Sequence, residues 1–160
     1  MLADTNTLSE FEARALDLAV RVAEFLGFPR SMGELYGLIF VADQPLHADN
    51  LIERLRISRG SASQGLSALK RLGAIRSQYV PGDRREYFVA ENNLNHLLQS
   101  FLKERVEPGL ADLSSRLEQL QQEVTKTENT HFKERLAKVK SWRDKIEKQL
   151  PLLLRMFTRQ

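Results

Sequence analysis

The sequence predicts a mainly α-helical chain with one small β-hairpin, in which a compact helical head is closed by the hairpin and followed by long helices. Three observations carry that prediction. Apolar residues recur at helical spacing over residues 9–26, 31–42, 48–55 and 58–72. Two strand-like runs, "AIRSQYV" (74–80) and "REYFVA" (85–90), flank the turn-forming "PGDR". From Asn92 onward the composition changes, and leucines alternate in steps of three and four.

Each element has a local reason. The first helix opens on Ser9 as N-cap, carries Phe11, Ala15, Leu18, Ala19, Val22 and Leu26, and is stopped by Gly27 and Pro29. "SMGELYGLIFVA" (31–42) is a second, strongly apolar helix with Leu35, Leu38, Ile39 and Ala42 along one face. Pro45 ends it, because proline cannot continue a helix interior. "ADNLIERL" is a short third helix that buries Leu51, Ile52 and Leu55, with His47 where its N-cap is expected. A fourth helix runs from the Ser58 cap to the Gly73 stop. On it Ala62, Leu66 and Leu69 share one face, with Gly65 and Leu72 at the border. Gly60, Ser63, Gln64, Ser67 and Arg71 lie opposite. Beyond the hairpin, Leu94, Leu97, Phe101 and Val106 mark a helix interrupted near "EPG". Leu110, Leu113, Leu117, Leu120 and Val124 form a narrow seam. After a turn at "KTENT" it resumes through Phe132, Leu136, Val139, Trp142 or Arg143, Ile146, Leu150 and Leu153. Such narrow stripes suit an interface with a second copy of the chain, an intramolecular helical hairpin, or both.

The order helix, helix, short helix, helix, hairpin is that of a winged helix-turn-helix. In that fold the second helix of the motif enters the major groove and the hairpin lies beside the backbone. Charge agrees. Between Arg54 and Arg85 stand eight basic residues and one acid, Asp83, a net +7. The rest of a chain of net +3 therefore carries −4. A basic segment on a mildly acidic protein is the footprint of a polyanion partner.

Other chemistries are weakly supported. "GSASQGLS" (60–67) has nearly the glycine spacing of a phosphate-cradling loop. Leu66 stands where that loop needs lysine, and a helix rather than a strand precedes it, so an NTPase is not expected. With no cysteine, and with His47, His96 and His131 far apart, no metal site or cofactor is expected. The serines have no candidate base, so the chain does not read as an enzyme. Tyr36, Phe40, Phe132, Trp142 and Phe157 could line a small-molecule cavity, although core packing accounts for them more simply. The N-terminal segment lacks the pattern of a signal peptide, and no apolar stretch approaches a membrane span; a cytoplasmic location is expected.

Over residues 28–92 the sequence resembles the GbsR-type branch of the MarR-like winged-helix regulators. "PRSMGELYGLIF", "SRGSASQGLSALKRLG" and the wing "VPGDRREYF" are the specific pieces. The resemblance implies a homodimer on a pseudo-palindromic operator, with Arg59–Leu72 as reader and Arg84 and Arg85 in the wing. His47 departs from it, since relatives tend to carry a hydroxyl cap there. GbsR-type proteins include choline-responsive regulators, but effector specificity belongs to regions where the match is weakest, so an effector is left open. The expected organisation is a helix at 1–27 contributing to dimerisation, a DNA-binding domain at 28–91 and a helical dimerisation region at 92–160. The expected DNA contacts are Arg59, Gly60, Ser61, Ser63, Gln64, Ser67, Arg71, Arg84 and Arg85. Gln64 suits adenine edges, Arg71 suits guanine or phosphate, and the start of the helix at Ser61 favours a phosphate. The rival reading is a winged-helix protein-interaction adaptor that never touches DNA. A repressor on double-stranded DNA explains the near-absence of acids from that segment better.

Overall fold

The computed structural model describes residues 8–125 and 130–158. The expected turn at "KTENT" and residues Leu153 and Phe157 lie wholly or largely outside what is described, the latter two as regards their side chains. The chain divides into two compact units, residues 1–97 and 98–160.

In the first unit, α1 (Glu10–Phe25) begins with a reciprocal cap. The Glu12 amide donates to Ser9 Oγ at 3.2 Å, and the Ser9 amide donates to Glu12 Oε2 at 2.8 Å. The Ser9 amide also holds the Glu12 carboxyl below its ordinary range. Gly27, at φ 75°, ends the helix: its amide reaches the Glu24 carbonyl and the Phe28 amide reaches that of Ala23. The helix is as expected, but its buried side differs. Leu16 and Val20 are buried, whereas Phe11, Leu18, Val22 and Phe25 are exposed.

Close packing against α2 (Arg30–Val41) explains the difference. A Cβ on Gly33 would lie 2.6 Å from Val20 Cα, and one on Gly37 would lie 2.9 Å from Ala19 Cβ. The small side of α1 therefore meets a glycine-lined side of α2, and the bulky stripe of α1 is left outside. The other side of α2 supplies Leu35, Leu38 and Ile39 to the core, as expected. Ala42 falls at the C-cap rather than on the helical face.

A two-residue strand, β1 (Leu46–His47), escaped the sequence reading because it is too short for a period to show. Then come α3 (Ala48–Leu55) and α4 (Arg59–Arg71), the two helices of the turn motif. Arg56 between them adopts a left-handed backbone, φ 53°. The strands β2 (Ile75–Gln78) and β3 (Tyr87–Ala90) pair antiparallel, with Ile75 opposite Ala90 and Gln78 opposite Tyr87. On its other edge β3 pairs with β1, His47 opposite Tyr87, giving the order β1-β3-β2. The hairpin loop is thus residues 79–86, longer than "PGDR" alone suggested. Leu35, Leu38, Leu51, Leu66, Leu69, Ile75 and Phe88 form the centre of the core. Beyond the wing, α5 (Leu94–Phe101) leads out of this unit.

In the second unit the expected break near "EPG" is a π-helical segment, Leu102–Val106, followed directly by α6 (Glu107–Thr125). Pro108 has no amide to donate, and the wider turn ahead of it, closed by the Glu107 amide on the Leu102 carbonyl, absorbs the missing bond without ending the helix. α7 spans Thr130–Thr158, and Ser114 Oγ on α6 donates to Glu147 Oε1 on α7 at 2.7 Å. The intramolecular hairpin therefore exists. Val124, Leu136 and Leu150 are buried, while Leu113, Leu120, Val139 and Trp142 are exposed. The seam position left open between Trp142 and Arg143 goes to Arg143, whose side chain is 11% exposed and pairs with Asp144 at 2.7 Å. Among the described residues no helix is long and apolar enough to cross a membrane.

Candidate nucleic-acid interface

The expected reading helix is α4. The Ser61 amide donates to Ser58 Oγ at 3.1 Å, which fixes where the helix starts. Its end is a left-handed Gly73, with the Ala74 amide on the Leu69 carbonyl. Ala62, Gly65, Leu66 and Leu69 are buried. A Cβ on Gly65 would stand 2.4 Å from Leu35 Cδ1, so this glycine sets how closely α4 approaches α2. Gly60 differs: nothing lies nearer its imagined Cβ than Ser58 Oγ at 4.0 Å. The absence of a side chain there leaves space on the outside.

Arg59, Gly60, Ser63, Gln64, Ser67 and Arg71 are all exposed on one side of α4. Ser61 is half-buried and its amide is already used by the cap, so it offers less than the sequence suggested. Arg84 is exposed in the loop between β2 and β3.

Arg85 is occupied. Its Nε donates to Asp83 Oδ1 at 3.0 Å and Oδ2 at 2.9 Å, its Nη2 pairs with Asp83 Oδ2, and the same nitrogen donates to Tyr87 Oη at 3.2 Å. Its Nη1 lies 2.9 Å from His47 Nε2. The Tyr87 hydroxyl donates to Asp83 at 2.8 Å. The Arg85 guanidinium holds the Asp83 carboxyl well below the usual carboxylate range. A lowered carboxylate pKa means the pair is fully formed above that range and is lost only as pH falls far through it. Arg85 is therefore a strut inside the wing.

Ion pairing also changes the basic window. Arg54 pairs with Glu12 at 2.7 Å, and both side chains are largely buried. Lys70 pairs with Glu86 at 2.6 Å and Arg59 with Asp49 at 3.1 Å. Glu12, Asp49 and Glu86 lie outside the sequence window yet fold back onto it. Lys70 and the Ser77 hydroxyl lower the Glu86 carboxyl from its ordinary range. Among the described residues Arg56, Arg71 and Arg84 have no acid partner, whereas Arg76 lies in the field of Glu91. The Arg59–Asp49 pair is so exposed that a phosphate could displace the carboxylate at little cost.

Sequence reasoning missed three features. The Asp83–Arg85–Tyr87 strut follows an i, i+2, i+4 pattern that alternation on a strand end could have signalled. Tyr79, 79% exposed beside the wing, stood at the end of an apparent strand. Arg54 lies three residues after Leu51, on the buried side of α3, which marked it as an interior residue. Of the five aromatics, Tyr36 and Phe40 pack on each other with ring centroids 5.7 Å apart. The Tyr36 hydroxyl donates to the Glu91 carbonyl at 3.1 Å, which is a structural role.

Comparison with known proteins fits this architecture. No protein-family model matches the chain. The HTH-type transcriptional repressor GbsR of Bacillus subtilis is 26% identical over 111 residues, 69% of this chain. That match covers 61% of the repressor's own length. The chain resembles the GbsR-type regulators. A crystal structure of a transcriptional regulator shares the fold of this GbsR-like chain at a TM-score of 0.71 and 20% identity, over 94% of this chain and 99% of the other. A variant of S. aureus MepR bound to an oligodeoxyribonucleotide aligns at a TM-score of 0.43 and 15% identity, over 85% and 92% of the two chains. The winged helix-turn-helix is thus supported by the sequence match and by the fold shared at a TM-score of 0.71.

Proposed function

We propose that the protein is a sequence-specific, double-stranded-DNA-binding transcriptional regulator, acting as a homodimeric repressor on a pseudo-palindromic operator. The observation that carries this reading is the outward side of α4: small or polar residues from Gly60 to Ser67, flanked by Arg59 and Arg71, with Arg84 in the wing. Such a surface lets a helix enter a major groove closely, with guanidinium groups for phosphates and guanine and Gln64 for an adenine edge. The repressor name of the similar B. subtilis protein supports it. A cytoplasmic location follows from the partner. Any small-molecule effector would act by favouring one placement of the two heads over another.

Binding selection from random duplexes tests the reading. The intact protein should enrich a two-fold-related site whose halves are centred about 34 Å apart, or a multiple of that. Gln64→Ala should alter the preferred bases at one position per half-site, at a discrimination cost of about 1–3 kcal/mol. Enrichment of no common sequence, or the same sequence with Gln64→Ala, would contradict the assignment of α4.

The dimer reading rests on apolar surface left exposed among the described residues. Phe11, Leu18, Val22 and Phe25 form one stripe on α1, with Phe25 88% exposed. Val139, Trp142, Leu152 and Met156 are exposed on α7. Surface of this kind marks association sites. Light scattering should give twice the chain mass, and Leu18→Glu with Phe25→Glu should shift it toward one chain mass. A wild-type monomer, or an unchanged dimer in the variant, would remove α1 from the interface.

A further inference from the structure

From the geometry around His47 we infer that this residue is a positioning residue: its neutral ring ties the wing to the start of α3, which makes wing placement dependent on pH. His47 is buried, at 9% exposure, as the last residue of β1, directly before α3. At the N-cap of α3 its Nδ1 lies 3.4 Å from the Asn50 amide nitrogen, while its own amide donates to Asn50 Oδ1 at 3.3 Å. Its Nε2 lies 2.9 Å from Arg85 Nη1, and its ring meets Tyr87 edge-on with centroids 5.3 Å apart.

Both neighbours of the ring nitrogens are donors. A guanidinium has no acceptor, and neither has a backbone amide. A neutral imidazole has a single in-plane lone pair to offer, and an imidazolium has none. The shorter, charge-assisted contact to Arg85 takes the lone pair on Nε2 and leaves the proton on Nδ1. In that tautomer Nδ1 cannot accept from the Asn50 amide, and the separation there is the longer of the two, 3.4 Å against 2.9 Å. The opposite tautomer exchanges the wing contact for the cap. Protonation removes both and sets an imidazolium against the guanidinium.

Among the described residues, the charged and titratable groups on the ring are Arg85 and Tyr87; Asp83 holds both of these, and Asp49 in the first turn of α3, itself paired with Arg59 of α4, lies in the field of Arg85. Asp83 keeps Arg85 in the wing whatever the state of His47. What His47 controls is whether the wing turn is anchored to the helix-turn-helix. The anchor is present while the imidazole is neutral and is lost when it is protonated, because an imidazolium has no lone pair to accept with. A hydroxyl at this position would cap α3 without reaching Arg85 or titrating.

The experiment follows imidazole and backbone amide resonances by NMR over about pH 8 to about pH 5. Titration of His47 should move the amides of Asn50, Arg85 and Tyr87 together. His47→Ser and His47→Asn keep a cap acceptor and should fold, and both should abolish that shared movement. The functional arm rests on the DNA-binding reading. Affinity for the selected duplex should fall several-fold more on acidification in the wild type than in either variant. A His47 titration that leaves Arg85 and Tyr87 still would overturn the proposal, as would full pH dependence retained in both variants. Absence of DNA binding at every pH would instead overturn the functional reading, with the amide titration still deciding the role of His47.

Discussion

Leu35→Ala should lower the stability of the first unit by about 2–5 kcal/mol, measured as the shift of the urea unfolding midpoint at constant slope. Leu35 is fully buried at the centre of the core. Its Cδ1 occupies the place a side chain at position 65 would need, 2.4 Å from an imagined Cβ. Gly65→Ala alone should therefore cost about 1–3 kcal/mol by overpacking, against a helix-propensity gain of about 1 kcal/mol. In the Leu35→Ala background the collision is gone, and Gly65→Ala should stabilise. The sign change is the diagnostic result, since neighbours that share one space are not additive. Additive effects would mean that Gly65 does not set the spacing of α4 on α2, and that its place in α4 has another cause.

The largest effect on binding should come from Arg71→Ala combined with Arg84→Ala. Among the described residues neither guanidinium has an acid partner, so neither must give up an ion pair to meet a phosphate. Removing each guanidinium should reduce the slope of log affinity against log salt by about 0.9. Each removal should also cost on the order of tenfold in affinity, the net worth of one hydrogen bond to a charged group. The reduction should be similar for all duplexes. Lys70→Met should cost less, because Lys70 is already committed to Glu86. Arg54→Ala should leave the salt slope alone and lower stability, because it strands a largely buried Glu12 carboxylate. Fluorescence anisotropy at several salt concentrations separates these outcomes. An unchanged slope in the Arg71/Arg84 double variant would place the DNA-binding surface elsewhere.

The parts that could be read from the sequence are those governed by near neighbours. The Ser9, His47 and Ser58 caps, the Gly27 and Gly73 stops, and the apolar side of α4 all follow from residues within a few positions of one another. What could not be read depends on pieces far apart in the chain. Gly33 and Gly37 draw α1 close and turn its bulky stripe outward, which no periodicity within α1 announces. Composition showed a strongly basic window, yet Glu12, Asp49 and Glu86 enter it only through folding. Of the two wing arginines that adjacent positions made look equivalent, Arg84 has no acid partner among the described residues and Arg85 is built into the turn. The candidate face is consequently less charged than the sequence window implied.

The most direct test of DNA binding through α4 and the wing is titration of labelled duplex DNA with the intact protein over a range of salt concentrations. Measurable binding is expected at low salt, weakening linearly in log–log form with a slope corresponding to several displaced counterions. No binding at low salt, or an affinity indifferent to salt, would contradict it.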